Sequence, residues 1–226
     1  MADAPDWPKV LSLTVHEFRT PLTVVAGYLR MLSTDRVGTL TEAQRRVIDE
    51  AERSCARLSG LLAEVSEVAH FHQGRLTFMR SPVPLARVMQ SLQLSAATEP
   101  HRLVVANGIG EVEIVGDGPR LGNAMSAVAS AVARETMDSD TVHVLPAVRQ
   151  APNGHEAFIA IGSEALAHEI LSAPPAQLSP FDSTRGGSGL SLVIARQIVE
   201  AHGGRLYGAP GARARAGAAI ALPLSS

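Results

Sequence analysis

Leu11, Val15, Phe18, Leu22, Val25, Leu29 and Leu32 recur at alternating steps of four and three, and Ile48, Ala51, Cys55, Leu58, Leu62, Val65 and Ala69 repeat that spacing further on. The spacing predicts two helices, each with an apolar stripe buried against other helices. Between them Ser33-Thr34-Asp35-Arg36-Val37-Gly38 is a turn-forming run, and Thr41 with Gln44 three residues later is the pair of a capping box. Two helices joined by a short loop form an antiparallel hairpin. Its stripe is too narrow to be covered fully by one partner helix, whereas two hairpins pack as a four-helix bundle. A homodimer through residues of about 11 to 69 is therefore expected, with a hairpin packed on the chain's own C-terminal part as the alternative.

Near Gly74 the period changes, and Ser81-Pro82-Val83-Pro84 reads as a linker into a new domain. Beyond it the expected elements alternate: a helix near Leu85 to Leu92, strands at Arg102–Ala106 and Val112–Val115, then a helix from Pro119 to about Arg134. Strands at Thr141–Val148 and His155–Ile161 follow, then a helix from Leu190 to His202 and strands at Arg205–Tyr207 and Ala218–Leu222. The Ala- and Gly-rich segment from Gly208 to Ala219 reads as a mobile hairpin. The fold class is thus α+β: residues 1–76 form a helical hairpin and residues 77–226 an α/β sandwich, one sheet covered by helices.

Composition narrows the function. Of 226 residues 46% are hydrophobic but only 4% aromatic, so the core is mostly aliphatic. A net charge of -2 gives no electrostatic case for nucleic acid or an anionic membrane. Cys55 is the one cysteine, which rules out an intramolecular disulfide and suits a reducing compartment, with packing as its role. No stretch approaches the ~18 continuous apolar residues of a membrane span, and MADAPDWPKV lacks the order of a signal peptide, so a cytoplasmic location is expected.

The chemistry-bearing stretch is His16-Glu17-Phe18-Arg19-Thr20-Pro21-Leu22. A core helix with an incidental histidine has no use for Glu17 and Arg19 beside it, nor for a proline that costs about 3 kcal/mol in a helix interior. Pro21 has no N–H for the Glu17 carbonyl, so a kink is expected beside the histidine. One nitrogen of a neutral His16 has a lone pair able to attack phosphorus, and Glu17 can take the proton of the other and stabilise the developing positive charge. Thr20, one turn on, can orient a water molecule.

This stretch resembles the phosphoacceptor box of sensor histidine kinases, the first components of bacterial two-component systems. The resemblance implies that His16 is autophosphorylated from ATP and passes the phosphoryl group to an aspartate on a response regulator receiver domain. It also implies that Glu17 assists and that Thr20 supports dephosphorylation of the regulator. In the second domain Gly186-Gly187-Ser188-Gly189-Leu190-Ser191-Leu192, opening a helix that ends His202-Gly203-Gly204, resembles the second glycine box of the kinase ATP-binding domain. Gly187, Gly189 and Leu190 would face nucleotide phosphates at the helix start. Asp117-Gly118-Pro119-Arg120-Leu121 resembles the segment that opens that domain's first nucleotide-facing helix.

Two parts of the family pattern are missing. The asparagine that holds Mg²⁺ in the family falls at Ala131, whose methyl group offers no oxygen to a hard cation. In the segment aligned with the first glycine box Ser163 stands in place of the adenine-reading aspartate, Ala165 and Ala167 replace glycines, and the lid up to Gly187 is short. No metal site is legible otherwise. Three readings stay open. The chain is an ATP- and Mg²⁺-dependent kinase with a divergent site, a phosphotransferase or phosphatase whose C-terminal domain is a docking surface without cofactor, or a pseudokinase that only binds partners.

Overall fold

The computed structural model describes residues 6–34, 37–92, 101–106, 109–136, 141–152, 154–184 and 189–225. They form two compact units, residues 1–76 and 77–226.

The first unit is a pair of long helices, α1 (Trp7–Ser33) and α2 (Glu42–His72). Asp6 caps α1 by accepting the Lys9 N–H, and Pro8 in the first turn has no N–H to leave unpaired. α1 runs as one α-helix through Pro21. The capping box at the start of α2 is formed on both sides: the Gln44 N–H donates to Thr41 Oγ1, and the Thr41 N–H donates to Gln44 Oε1 at 2.9 Å. Ser33 Oγ donates to Glu52 Oε1 at 3.0 Å, tying the end of α1 to α2. The apolar stripes divide in a consistent way. Val15, Cys55 and Ala69 are buried within the hairpin, whereas Phe18, Val25 and Leu58 are 58%, 47% and 52% exposed.

The second unit begins with β1 (Ser81–Pro84), where the sequence suggested only a linker. It pairs antiparallel with β3 (Glu113–Gly116), Val83 opposite Ile114. A two-stranded ribbon leaves each strand one open side, which is how two prolines are accommodated. Six further strands form a mixed sheet: β2 (Arg102–Val105), β4 (Thr141–Ala151), β5 (Gly154–Gly162), β8 (Ala218–Pro223), β7 (Arg205–Pro210) and β6 (Leu178–Pro180), in that spatial order. Among the described residues only the β2–β4 pairing is parallel.

Alternation along β5 and β8 gives the sheet two apolar faces. Ile159, Ile161, Ile220 and Leu222 occupy one, and Phe158, Ala160, Ala219 and Ala221 the other, all of them buried. The helices α4 (Gly118–Glu135) and α6 (Ser191–Ala201) pack against each other, and α4 meets β5 and β8. Val199 of α6 approaches Leu222 so closely at Gly204 that a Cβ there would lie 2.9 Å from one side chain and 2.8 Å from the other. A fifth helix, α5 (Glu164–Ser172), packs on the opposite face, where Leu166, Ala167 and Ile170 join Phe158, Ala160, Ala219 and Ala221 in one core. The short helix α3 (Leu85–Gln90) lies against the start of α4, where Gly122 admits Ser91: a Cβ at residue 122 would fall 2.5 Å from its Oγ.

The segment from Gly208 to Ala219, expected as a mobile hairpin, is a packed corner between β7 and β8. The Ala209 N–H donates to the Ala214 carbonyl, and Gly217 sits where a Cβ would be 2.8 Å from Ile170. Small residues are abundant here because α5 approaches closely.

Candidate functional site

On α1, the histidine, carboxylate and hydroxyl stand where the sequence put them, on an exposed surface. His16 Nδ1 is 3.8 Å from Glu17 Oε1, with the side chains 77% and 74% exposed. Thr20 is exposed one turn further on, followed by Pro21. Thr23 Oγ1 donates to the Arg19 carbonyl at 2.8 Å, and Thr14 Oγ1 to the Val10 carbonyl at 2.8 Å, so hydroxyls on both sides of the box brace the helix backbone. Chemically this is an accessible imidazole with a carboxylate at ion-pair range of Nδ1 and, among the described residues, no donor engaging Nε2. It can take up an electrophile delivered from solvent or by a docked partner.

The second unit presents a different set of groups. Asp117 caps α4: its Oδ1 accepts the Arg120 N–H and its Oδ2 the Met79 N–H, both at 3.2 Å. The buried His202 sits against the same turn. The Asp117 N–H donates to His202 Nε2 at 3.0 Å, so the proton is on Nδ1, which donates to the Ile198 carbonyl at 2.6 Å. The Phe78 ring stands edge-on to His202 at 5.1 Å, with the Arg120 guanidinium 5.6 Å from the Phe78 centroid. Arg80 donates to the Ala201 carbonyl at the end of α6. Thus the His202 of the His-Gly-Gly run is a latch joining α6 to the start of α4. The sequence pointed to it only through resemblance, because its partners are a backbone N–H and a carbonyl. His202→Ala leaves the buried Asp117 N–H without an acceptor, and a loss of about 1–3 kcal/mol in urea unfolding is expected.

The positions at which the sequence lacked family residues are now located. Ala131 is in the middle of α4 and 1% exposed. Ser163 is the residue preceding α5 and makes no capping hydrogen bond with its side chain. Ala165 lies exposed in the first turn of α5, and Ala167 is wholly buried against the sheet. The stretch read as a divergent glycine box, residues 159–167, is therefore the end of β5 followed by the first turn of α5. The run Glu-Ala-Leu-Ala-His-Glu-Ile-Leu is helix-forming, with Leu166, Ala167 and Ile170 on one face. Arg149 of β4 secures it: its guanidinium donates to the carbonyls of Ile170 at 3.0 Å and of Leu171, and stacks 3.4 Å from the Phe158 centroid. Burial pushes the Arg149 pKa down from its usual value.

Beyond β6, Phe181 is buried and Asp182 accepts the N–H and hydroxyl of Thr184 at 2.9 and 2.7 Å. Those bonds, with the Arg215 guanidinium at 2.9 Å, hold the Asp182 carboxyl below the usual carboxylate range. Arg213 pairs with Glu169. The corner between β7 and β8 thus grips both α5 and the segment after β6. Of the second glycine box, Gly187 lies outside the described residues. Gly189 has φ +58°, in the left-handed region, and Leu190 precedes α6. Among the described residues no cluster of His, Cys, Asp or Glu could hold a metal ion. With a buried methyl at residue 131 and a helix from residue 164, the residues present do not fit a Mg²⁺–nucleotide held in the family manner.

Residues 9–74 match the family described as the His Kinase A (phospho-acceptor) domain. The chain is 26% identical over 217 residues to the circadian input-output histidine kinase CikA of Synechococcus elongatus, covering 87% of this chain and 27% of that one. It is 25% identical over 201 residues to the phosphate regulon sensor protein PhoR of Pseudomonas aeruginosa, covering 84% and 44%. The N-terminal unit thus matches the phospho-acceptor domain of histidine kinases. The chain spans less than half the length of either relative. In fold, the chain is similar to full-length ShkA, crystallised in complex with AMPPNP, at a TM-score of 0.63 and 22% identity, over 97% of this chain and 46% of that one. The Acinetobacter baumannii histidine kinase AdeS superposes at a TM-score of 0.55 with 15% identity, over 93% and 98%. No described helix is long and apolar enough to cross a membrane.

Proposed function

We propose that this chain is a two-component phosphotransfer protein that carries a phosphoryl group on His16 and exchanges it with the aspartate of a receiver domain, the C-terminal unit acting as a docking surface. The observation that carries the proposal is the exposed imidazole of His16 with the Glu17 carboxylate 3.8 Å from Nδ1. In the transfer step the lone pair of Nε2 attacks the phosphorus of the aspartyl phosphate. The P–N bond forms as the P–O bond breaks, and the aspartate leaves as a carboxylate. The ring becomes cationic, and Glu17 faces the N–H that bears the charge. The exposed Phe18, Val25 and Leu58 support a homodimer in which a second hairpin covers them.

A second reading, in which ATP and Mg²⁺ supply the phosphoryl group, is favoured by Gly189, whose positive φ at the start of α6 matches a phosphate-facing turn. ShkA, solved with AMPPNP, supports it by analogy of fold. Against it stand the buried Ala131 and the helix at 164–172. The two are separated by offering the protein γ-labelled ATP with Mg²⁺ in one reaction and a panel of receiver domains charged by labelled acetyl phosphate in another. Label on the chain from a receiver and none from ATP is expected. ATP-dependent labelling would establish the second reading, and labelling from neither source would overturn both.

Thr20 enters a separate hydrolytic step, in which water rather than His16 takes the phosphoryl group from the receiver. Its exposure one turn from His16 supports a role in orienting that water. Thr20→Ala is expected to slow loss of phosphate from the receiver by about tenfold to a hundredfold while leaving label on His16 unchanged, read as receiver-phosphate half-life on phosphate-affinity gels.

A further inference from the structure

We infer that the C-terminal unit binds a small organic anion with an apolar ring or chain, in the groove between β1, α3 and the first turns of α4. The groove has a volume of about 550 Å³, within the roughly 300–1,000 Å³ span of small-molecule sites. Val88, buried, and Val83, half-buried, supply an apolar floor, and the exposed Met79 and Pro119 extend the apolar lining outward. At its rim Arg87, Ser81 and Asn123 are exposed, and among the described residues their side chains make no hydrogen bond or ion pair, so all three are available to a ligand.

Charge decides the ligand's sign. The one carboxylate on the groove is Asp117, and it is already engaged by the Met79 and Arg120 N–H groups and by the Arg120 guanidinium at 3.6 Å. Arg87 is left as the uncompensated charge, with a planar fork suited to a carboxylate. The apolar floor then selects a ligand with a hydrocarbon body over a bare anion. The groove is distinct from the position at which kinases of this family hold metal: Asn123 precedes Ala131 by eight residues, about 12 Å along α4 at 1.5 Å per residue. The inference does not depend on the source of phosphate on His16.

The test is an NMR titration of the ¹⁵N-labelled full chain with naphthalene-1-carboxylate and with the neutral naphthalene-1-methanol. Amide shifts confined to residues 79–91 and 117–123 are expected, with the carboxylate binding more tightly. Arg87→Gln should weaken the carboxylate about tenfold, the size of one charge-assisted hydrogen bond, and leave the alcohol within about twofold. Asn123→Trp, on an exposed helix position that tolerates a large side chain, should block both compounds while preserving the dispersed spectrum. Shifts confined to residues 7–72, equal losses of both compounds in Arg87→Gln, an unaffected titration in Asn123→Trp, or no shift at millimolar probe would each overturn the proposal.

Discussion

His16→Gln removes all acid-labile, base-stable phosphate from the chain, whichever donor supplies it. Glutamine keeps the size and polarity of the side chain but has no basic lone pair at the attacking position, so the P–N bond does not form. The result is expected to be a complete loss rather than a fractional one, because the remaining histidines lack this setting. His168, followed by Glu169 on α5, has that carboxylate paired with Arg213 and no proline in its helix; His155, followed by Glu156, is in β5, and His202 is buried with both ring nitrogens bonded. The check is the acid and base stability of label on wild type and variant, with mass-spectrometric location of the phosphate. Undiminished label on His16→Gln would exclude this residue as the acceptor.

Phe18→Glu combined with Leu58→Glu is expected to convert a dimer into a monomer. Both side chains are more than half exposed on a hairpin that buries Val15, Cys55 and Ala69 internally, so the substitutions leave the intrachain contacts intact. In a four-helix bundle the same positions are enclosed by the second hairpin, and two carboxylates per chain there lose their hydration without gaining partners. Light scattering should report twice the chain mass for the wild type and the single mass for the variant, with helical circular dichroism retained. A wild type that is monomeric at micromolar concentration would end the bundle proposal.

Much of this architecture is legible in the sequence because it depends on local signals. The three-and-four spacing, the Thr41–Gln44 capping box and the Asp117-Gly118-Pro119 helix start each act within one or two turns, and each appears in the structure at the expected residues. What escaped depends on distant partners. Nothing in Ser81-Pro82-Val83-Pro84 announces a strand, because its pairing with Glu113–Gly116 spans some thirty residues and its prolines argue the other way. The helix α5 was hidden by the alignment of residues 159–167 with a glycine box, although its own pattern of Leu166, Ala167 and Ile170 is helical. His16, Glu17 and Thr20 could be singled out because they lie in one contiguous stretch, and they stand exposed on α1. The His202 latch was not, since it closes over a separation of 85 residues onto a backbone group.

The placement of α5 has a consequence for the evolvability of the second unit. Glycine at residue 165 or 167 would weaken a scaffold element: glycine inside a helix costs about 0.5–1 kcal/mol relative to alanine, and at Ala167 a core methyl is lost as well. Fold stability and a glycine-rich turn thus pull in opposite directions at these two residues. Arg149 deepens the opposition, because its bonds to the carbonyls of Ile170 and Leu171 exist only while the helix does. A glycine-rich turn at this position would therefore be reached only through less stable intermediates, even though each step is a single substitution.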